Sequence, residues 1–145
     1  MFSSLFRRNK KRTVTLSVDV RQEDIDEATR RNCVDCPVGR AVVRAMGESP
    51  MLSKFFNKAR VHILEIALPY IHHLDYWGWG FDHVSILPPS NVSQKIKLFD
   101  ETGVMKPFNF TIPITVPRGA LKLKTNLDRY QRKERTRYFF RHPLS

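Results

Sequence analysis

Residues 13–20 read TVTLSVDV, and this stretch decides the fold. Apolar side chains recur at every second position (Val14, Leu16, Val18 and Val20), with threonine, serine and aspartate between them. A side-chain period of two is typical of a β-strand with one buried face. We therefore predict a half-buried strand over these eight residues.

Helix patterns follow further along the chain. Acidic residues at the start of a helix and basic residues at its end suit the helix macrodipole. Proline is common as the first residue of a helix, and glycine is common just after its last residue. Three helices are predicted: a short surface helix or turn over Gln22–Arg31, a helix from Pro37 that ends before Gly47, and a helix over Asn91–Thr102 between Ser90 as cap and Gly103 as stop.

Further strands are indicated by β-branched and alternating residues. In the strand predicted last along the chain, Phe108–Val116, Pro113 lies on the side opposite the apolar residues, which predicts an edge strand. The segments are a strand over Arg60–Ile66, a strand or hairpin over Ala67–Phe81 with its glycines at a bend, a strand over His83–Leu87 and a strand over Phe108–Val116. The pattern predicts an α+β fold: a single compact domain with a small, mainly antiparallel sheet packed against two or three short helices.

The positive charge of the chain is concentrated at its two ends. Residues 1–12 carry a net charge of +5 and residues 121–145 a net charge of +6, which together account for the formal charge of +11. Residues 13–120 hold twelve basic and twelve acidic side chains. We therefore divide the chain into a basic N-terminal arm (1–12), an α+β body (13–120) and a basic, aromatic C-terminal arm (121–145).

A neutral body with two cationic arms is typical of a protein that holds a polyanion. Arginine outnumbers lysine in the arms by eight to five, and its planar guanidinium suits bidentate phosphate contacts. We predict nucleic acid as the partner, DNA in preference to RNA, with a homo-oligomer or capsid subunits as further partners. The residues predicted to bind nucleic acid are Arg7, Arg8, Lys10, Lys11, Arg12, Lys122, Lys124, Arg129, Arg132, Lys133, Arg135, Arg137, Tyr138 and Arg141.

The aromatic segment Tyr70–Phe81 allows two interpretations. Exposed rings would form a stacking platform for unpaired bases, each stack worth ~1–3 kcal/mol. Buried rings would form part of the core, where Gly78 and Gly80 allow tight backbone packing, and this interpretation is favoured for Trp77 and Trp79. The two tryptophans share one side of the predicted strand, which fits either interpretation.

Cys33 and Cys36 form a CxxC motif immediately before a predicted helix. Such a motif can serve dithiol redox chemistry, and it supplies half of a four-ligand zinc site that His72 and His73 could complete. However, the preceding segment is polar, Asp35 lies between the thiols, and adjacent histidines point in different directions. A pair of helix-capping, semi-buried cysteines is therefore favoured, with no metal and no cofactor.

The chain has no recognisable catalytic motif, since it lacks GxSxG, P-loop and HExxH sequences. His62 is expected to be a partly buried core side chain rather than a base. No apolar stretch reaches the ~18 residues that a membrane span needs, and Met1–Arg12 lacks the apolar region of a signal peptide. The sequence predicts neither an enzyme nor a membrane protein.

Three segments resemble a loosely defined set of small phage and plasmid proteins without an established activity. They are LSVDVRQEDIDEA (16–28), a CPVxxAVxRAMG helix (Cys36–Gly47), and LPPSNVSQKIKLFDETG with KPFNFTIPI (Leu87–Ile114). The resemblance covers the body and neither arm. It implies a compact α+β body in which Cys36–Pro37 starts a helix, and a viral or mobile-element setting in the host cytoplasm or a virion.

Two functions then compete. One is a nucleic-acid-binding accessory protein for replication or genome packaging, which grips phosphates through its arms. The other is a virion structural or assembly protein whose arms contact neighbouring subunits or the genome.

Overall fold

The computed structural model of this chain describes residues 12–74, 78–118 and 120–121. They form β1 (Arg12–Val20), α1 (Gln22–Glu27), α2 (Pro37–Glu48), a 3₁₀ turn (Leu52–Lys54), β2 (Arg60–His62), β3 (Glu65–Leu74), β4 (Gly78–Ile86), α3 (Ser90–Thr102), β5 (Phe108–Val116) and β6 (Ala120–Leu121). The predicted α+β class is confirmed, and so is the strand predicted over residues 13–20, which lies within β1.

The strands form two antiparallel sheets in the described part of the chain, where the sequence suggested one. β1 pairs with β5 from Arg12 opposite Val116 to Val20 opposite Phe108. In the second sheet β3 is central, with β4 on one side and the short strands β2 and β6 at its two ends. Pro113 lacks an N–H, so β5 pairs poorly on its outer side and is the edge strand that was predicted.

α2 and the inner face of β1 form one part of the core, which also contains buried residues of β3, α3 and β5. Every second residue of β1 from Leu16 to Val20 is at most 5% exposed, which is the alternation that the sequence showed. α2 covers this face with four fully buried side chains, Val38, Ala41, Val42 and Met46. Each large aliphatic side chain buried here contributes about 1.5–3 kcal/mol to folding.

Each helix differs from prediction at one of its ends, and α1 stops at Glu27 rather than at Arg31. Gly103 ends α3 in the left-handed region (φ 75°), and its N–H donates to the Phe99 carbonyl at 2.7 Å, as predicted. Ser90 is the first residue of α3 rather than its cap, because Pro89 takes the cap position. Gly47 lies inside α2, which continues to Glu48. None of the helices in the described part is long and apolar enough to cross a bilayer.

The second sheet is built from two hairpins. The single strand predicted over Arg60–Ile66 is wrong, because Ile63 and Leu64 form an exposed turn between β2 and β3. His62 is exposed beside buried Val61, so its predicted burial is also wrong. β3 and β4 confirm the hairpin alternative, but the two glycines lie within β4 rather than at its bend. Strand pairing here outweighs local propensity.

Candidate nucleic-acid interface

The two basic arms join the body at the same end. Arg12 begins β1 and lies opposite Val116 in β5, and β6 starts at Ala120, after a short connection. Opposed Cα atoms of an antiparallel pair lie ~4.5–5.5 Å apart, and four residues span at most ~14 Å. The Cα atoms of Arg12 and Ala120 are therefore within about 20 Å of each other. We call this end, with Arg12, Arg118 and the start of β6, the basic pole.

Arg12 is the one predicted phosphate-binding residue in the described part of the chain, and its side chain is exposed. Sequence reasoning missed Arg118, which is also exposed at the basic pole. Its position beside the arm boundary was the available signal. The other predicted residues lie outside the described residues: Arg7, Arg8, Lys10, Lys11, Lys122, Lys124, Arg129, Arg132, Lys133, Arg135, Arg137, Tyr138 and Arg141.

The opposite end of β1 is acidic. Residues 19–27 hold five carboxylates and one arginine, a net charge of −4. The eight steps from Arg12 to Val20, at ~3.3 Å each, place this acidic end about 26 Å from the basic pole. The two ends of β1 therefore carry charge of opposite sign.

Both arginines of α2 form ion pairs with carboxylates. Arg44 Nη2 lies 2.7 Å from Asp24 Oδ2, and Arg40 Nη1 lies 2.6 Å from Asp35 Oδ1. These partners raise the pKa of both guanidinium groups. Asp24, Arg40 and Arg44 line a groove of about 460 Å³ between α1 and α2, together with Glu23, Glu27, Val34, Gly39 and Val43. The two arginines of this groove are therefore already neutralised by neighbouring carboxylates.

The Asp24 carboxyl is the buried charge of this groove, 3% exposed. Burial by itself raises its pKa, but hydrogen bonds from Arg44 and from the main-chain N–H of Arg21, with the Arg44 charge, outweigh that effect. The pKa of Asp24 therefore lies below its ordinary value. Sequence reasoning saw the acidic helix but could not pair it with α2, which is distant in sequence.

Tyr70 belongs to the core rather than to a stacking surface. Its ring packs edge to face against Phe56, with centroids 6.2 Å apart. Burial, and then the negative charge of Asp82 opposite it, raises the pKa of Tyr70. The predictions for Trp77 and Trp79 concern side chains outside those described.

Cys36 caps α2, as predicted for this motif. Its Sγ accepts a hydrogen bond from the Gly39 N–H at 3.2 Å, and burial raises the pKa of the thiol to about 11. A thiol with this pKa is a poor nucleophile at neutral pH. Cys33 holds the loop in place through its carbonyl, which accepts from the Val61 N–H at 2.7 Å. Both thiols are free.

His72 and His73, the other half of the suggested zinc site, have side chains outside those that the structure describes. Among the residues that are described, no three His, Cys, Asp or Glu side chains are grouped to hold a metal ion.

No protein-family model, curated protein or solved structure matches this chain. The placement of charge on the body is its clearest chemical feature. The basic pole, where both cationic segments begin, attracts anions.

Proposed function

We propose that this chain is a nucleic-acid-binding accessory protein of a virus or mobile element, active in replication or genome packaging. Its two arms grip phosphates from a common base on the body. The observation that carries the proposal is the pairing of Arg12 with Val116, which brings the roots of both arms to one pole.

Charge density supports this proposal. The arms hold thirteen lysine and arginine residues against two acids. Tethered within about 20 Å, the two arms act as one cationic site rather than as two distant ones. Contacts from half of these cations would release about six counterions, so affinity would fall about 10³-fold between 50 and 200 mM salt.

The polarity of the body supports the same orientation. The acidic end lies about 26 Å from the basic pole of the same chain, and its charge repels the phosphates that the pole attracts. The resemblance of three body segments to phage and plasmid proteins supports the viral or mobile-element setting. Cys36, as a capping residue with a raised pKa, belongs to the scaffold.

Fluorescence anisotropy with labelled single-stranded DNA, duplex DNA and RNA, each over a salt series, tests the proposal. We expect binding at low salt that weakens steeply as salt rises, with DNA bound more tightly than RNA. Failure to bind any probe at low salt would overturn it and leave the virion assembly role as the alternative.

A matched pair of variants locates the contact. Changing Arg7, Arg8, Lys10 and Lys11 to glutamine should reduce the salt slope by up to about four. The control changes Lys54, Lys58, Arg60 and Lys97, which are exposed on the body, and should leave the slope nearly unchanged. Equal effects of the two variants would contradict the arm mechanism and direct attention to the Tyr70–Phe81 hairpin.

A further inference from the structure

The outer edge of β1 carries main-chain groups that no described residue pairs. β1 is nine residues long and pairs with β5 along its whole length on one side. On the other side, within the described part of the chain, no strand pairs with it and no main-chain group bonds to residues 13–19. An unpaired edge of this length is a template for another strand.

Pro113 identifies which residues of β1 face this edge. It lies opposite Thr15, and a proline is tolerated in a ladder where its nitrogen faces away from the neighbouring strand. Opposed residues of an antiparallel pair both face the ladder or both face away, so Thr15 faces the outer edge. Asp19 has the same parity, and its carbonyl accepts a bond from Arg44 Nη2 at 2.7 Å instead of from a strand.

Thr13, Thr15 and Ser17 therefore each offer an outward N–H and C=O that no residue of the described part engages. Their side chains are exposed and uncharged. Natural edge strands are commonly protected by lysine or proline, and this one has neither at these positions. The outer edge of β5 does have such protection, since Pro113 removes a donor from it. We call the unprotected side the open β1 edge.

We propose that the open β1 edge binds the β1 strand of a second copy of this chain, antiparallel about a two-fold axis at Thr15. In this register Thr15 lies opposite its own copy, and Thr13 lies opposite Ser17. Each hydrogen-bonded pair exchanges two main-chain bonds, so the ladder gains about six. It uses the main-chain groups that no described residue engages and leaves the Asp19 carbonyl bonded to Arg44.

Side-chain parity favours a second copy as the occupant. The register sets Val14 opposite Leu16, so the apolar faces of both copies stay on one side of the joined sheet, whereas a slip by one residue would reverse one of them. The same surface is used on both copies, which closes the assembly as a dimer.

Charge favours the antiparallel arrangement. The basic pole of each copy lies beside the acidic end, residues 19–27, of the other. A parallel arrangement would place the two basic poles together, and their charges would repel. In the absence of nucleic acid the dimer therefore pairs opposite charges at both ends of the new ladder, and a polyanion would compete with the acidic end of the second copy for each basic pole.

Sedimentation of the full chain over a concentration series, free of nucleic acid, tests this interface. We expect a dimer whose Kd rises about 10- to 100-fold in Thr15→Pro, because both copies lose a donor. The matched control is Thr111→Pro in β5. Thr111 lies opposite Ser17, so its N–H also faces away from the β1–β5 ladder, and dimerisation should not change.

Charge variants at the two-fold axis give a second test that does not depend on proline. Thr15→Lys and Thr15→Glu should each be monomeric, because like charges meet at the axis, and an equimolar mixture should restore a dimer. Circular dichroism and Tm confirm that each variant is folded.

Three results would overturn the proposal. They are a monomeric wild type at every concentration, a dimer that Thr15→Pro and Thr15→Lys leave intact, and a monomer whose Thr15 amide is protected from hydrogen exchange. The last would show that the chain covers its own edge. Because no nucleic acid is present, each result is independent of the proposed function.

Discussion

Arg44 on α2 holds both carboxylate oxygens of Asp24 on α1, at 2.5 and 2.7 Å. Asp24 also accepts from the main-chain N–H of Arg21 at 2.9 Å, and Arg44 donates to the carbonyl of Asp19 at 2.7 Å. One ion pair thus ties α1 and the end of β1 to α2. The Asp24 side chain is 4% exposed, so its charge depends on this partner rather than on water.

Removal of this carboxylate should destabilise the body. We expect Asp24→Ala to lower the free energy of unfolding by about 2–4 kcal/mol, because Arg44 loses its counter-charge in a partly buried site. Urea denaturation measures the change. The control is Asp26→Ala, an exposed acid on the same helix that accepts a bond from Gln22 at 2.8 Å, and it should cost no more than about 0.5 kcal/mol. Equal costs would contradict the role of the pair.

Acid should weaken the folded state through the same groups. The pKa values of Asp24 and Asp35 both lie below 3.8 in the folded protein. The unfolded chain therefore binds protons first, so their contribution is complete above pH 3.8 and is lost as pH falls through the lower folded values. We expect the urea midpoint to fall as the pH is lowered below 3.8. In Asp24→Asn the midpoint should depend less on pH over the same range. A wild-type slope retained in Asp24→Asn would assign the acid sensitivity elsewhere.

The spacing of apolar residues in the sequence predicted the elements that have one regularly buried face. The other elements depend on pairing between strands that are distant in sequence. β1, β5 and the face of α2 carry regular apolar spacing, so their existence and exposed sides could be predicted. Ile63 and Leu64 have the composition of a strand but form a turn, because β2 pairs back on β3. The charge of the arms was visible in the sequence. Their shared root was not, because it depends on β1 pairing with a strand about a hundred residues away.

The two cysteines should differ in reactivity. Burial and a pKa of about 11 should keep Cys36 unreactive toward a thiol reagent at pH 8, until the protein unfolds. Thiol counting with and without denaturant, on wild type and on Cys33→Ala, measures this. Rapid labelling of folded Cys33→Ala would contradict the capping role of Cys36.

The loop before α2 is fastened to the end of α3 by two adjacent arginines that act differently. The side chain of Arg30 donates to the carbonyls of Asp100 and Glu101, while Arg31 has φ of 58° and donates its main-chain N–H to Asp100 Oδ1. Glycine adopts that φ without strain and keeps the N–H. Relief of the left-handed conformation, worth ~1–2 kcal/mol, exceeds the ~0.5–1 kcal/mol that the added chain entropy of glycine costs. We therefore expect Arg31→Gly to raise the free energy of unfolding by about 0.5 kcal/mol.

Arg30→Gly is the matched comparison for this change. It removes the bonds to the last carbonyls of α3, so we expect a loss of about 1 kcal/mol in the same urea measurement. If both glycine variants were destabilised alike, the strain assigned to Arg31 would be refuted.

The basic pole should contribute to nucleic-acid affinity through Arg12, the last residue of the N-terminal arm, and through Arg118, which lies outside both arms. Arg12 and Arg118 are exposed where the arms begin, so each should meet a phosphate when the arms do. We expect Arg12→Gln with Arg118→Gln to reduce the salt slope by about two and to weaken binding of different sequences equally. The control pairs Arg21→Gln with Arg60→Gln, both exposed and Arg21 at the acidic end. Anisotropy titrations that gave the two double variants the same slope would remove the pole from the interface.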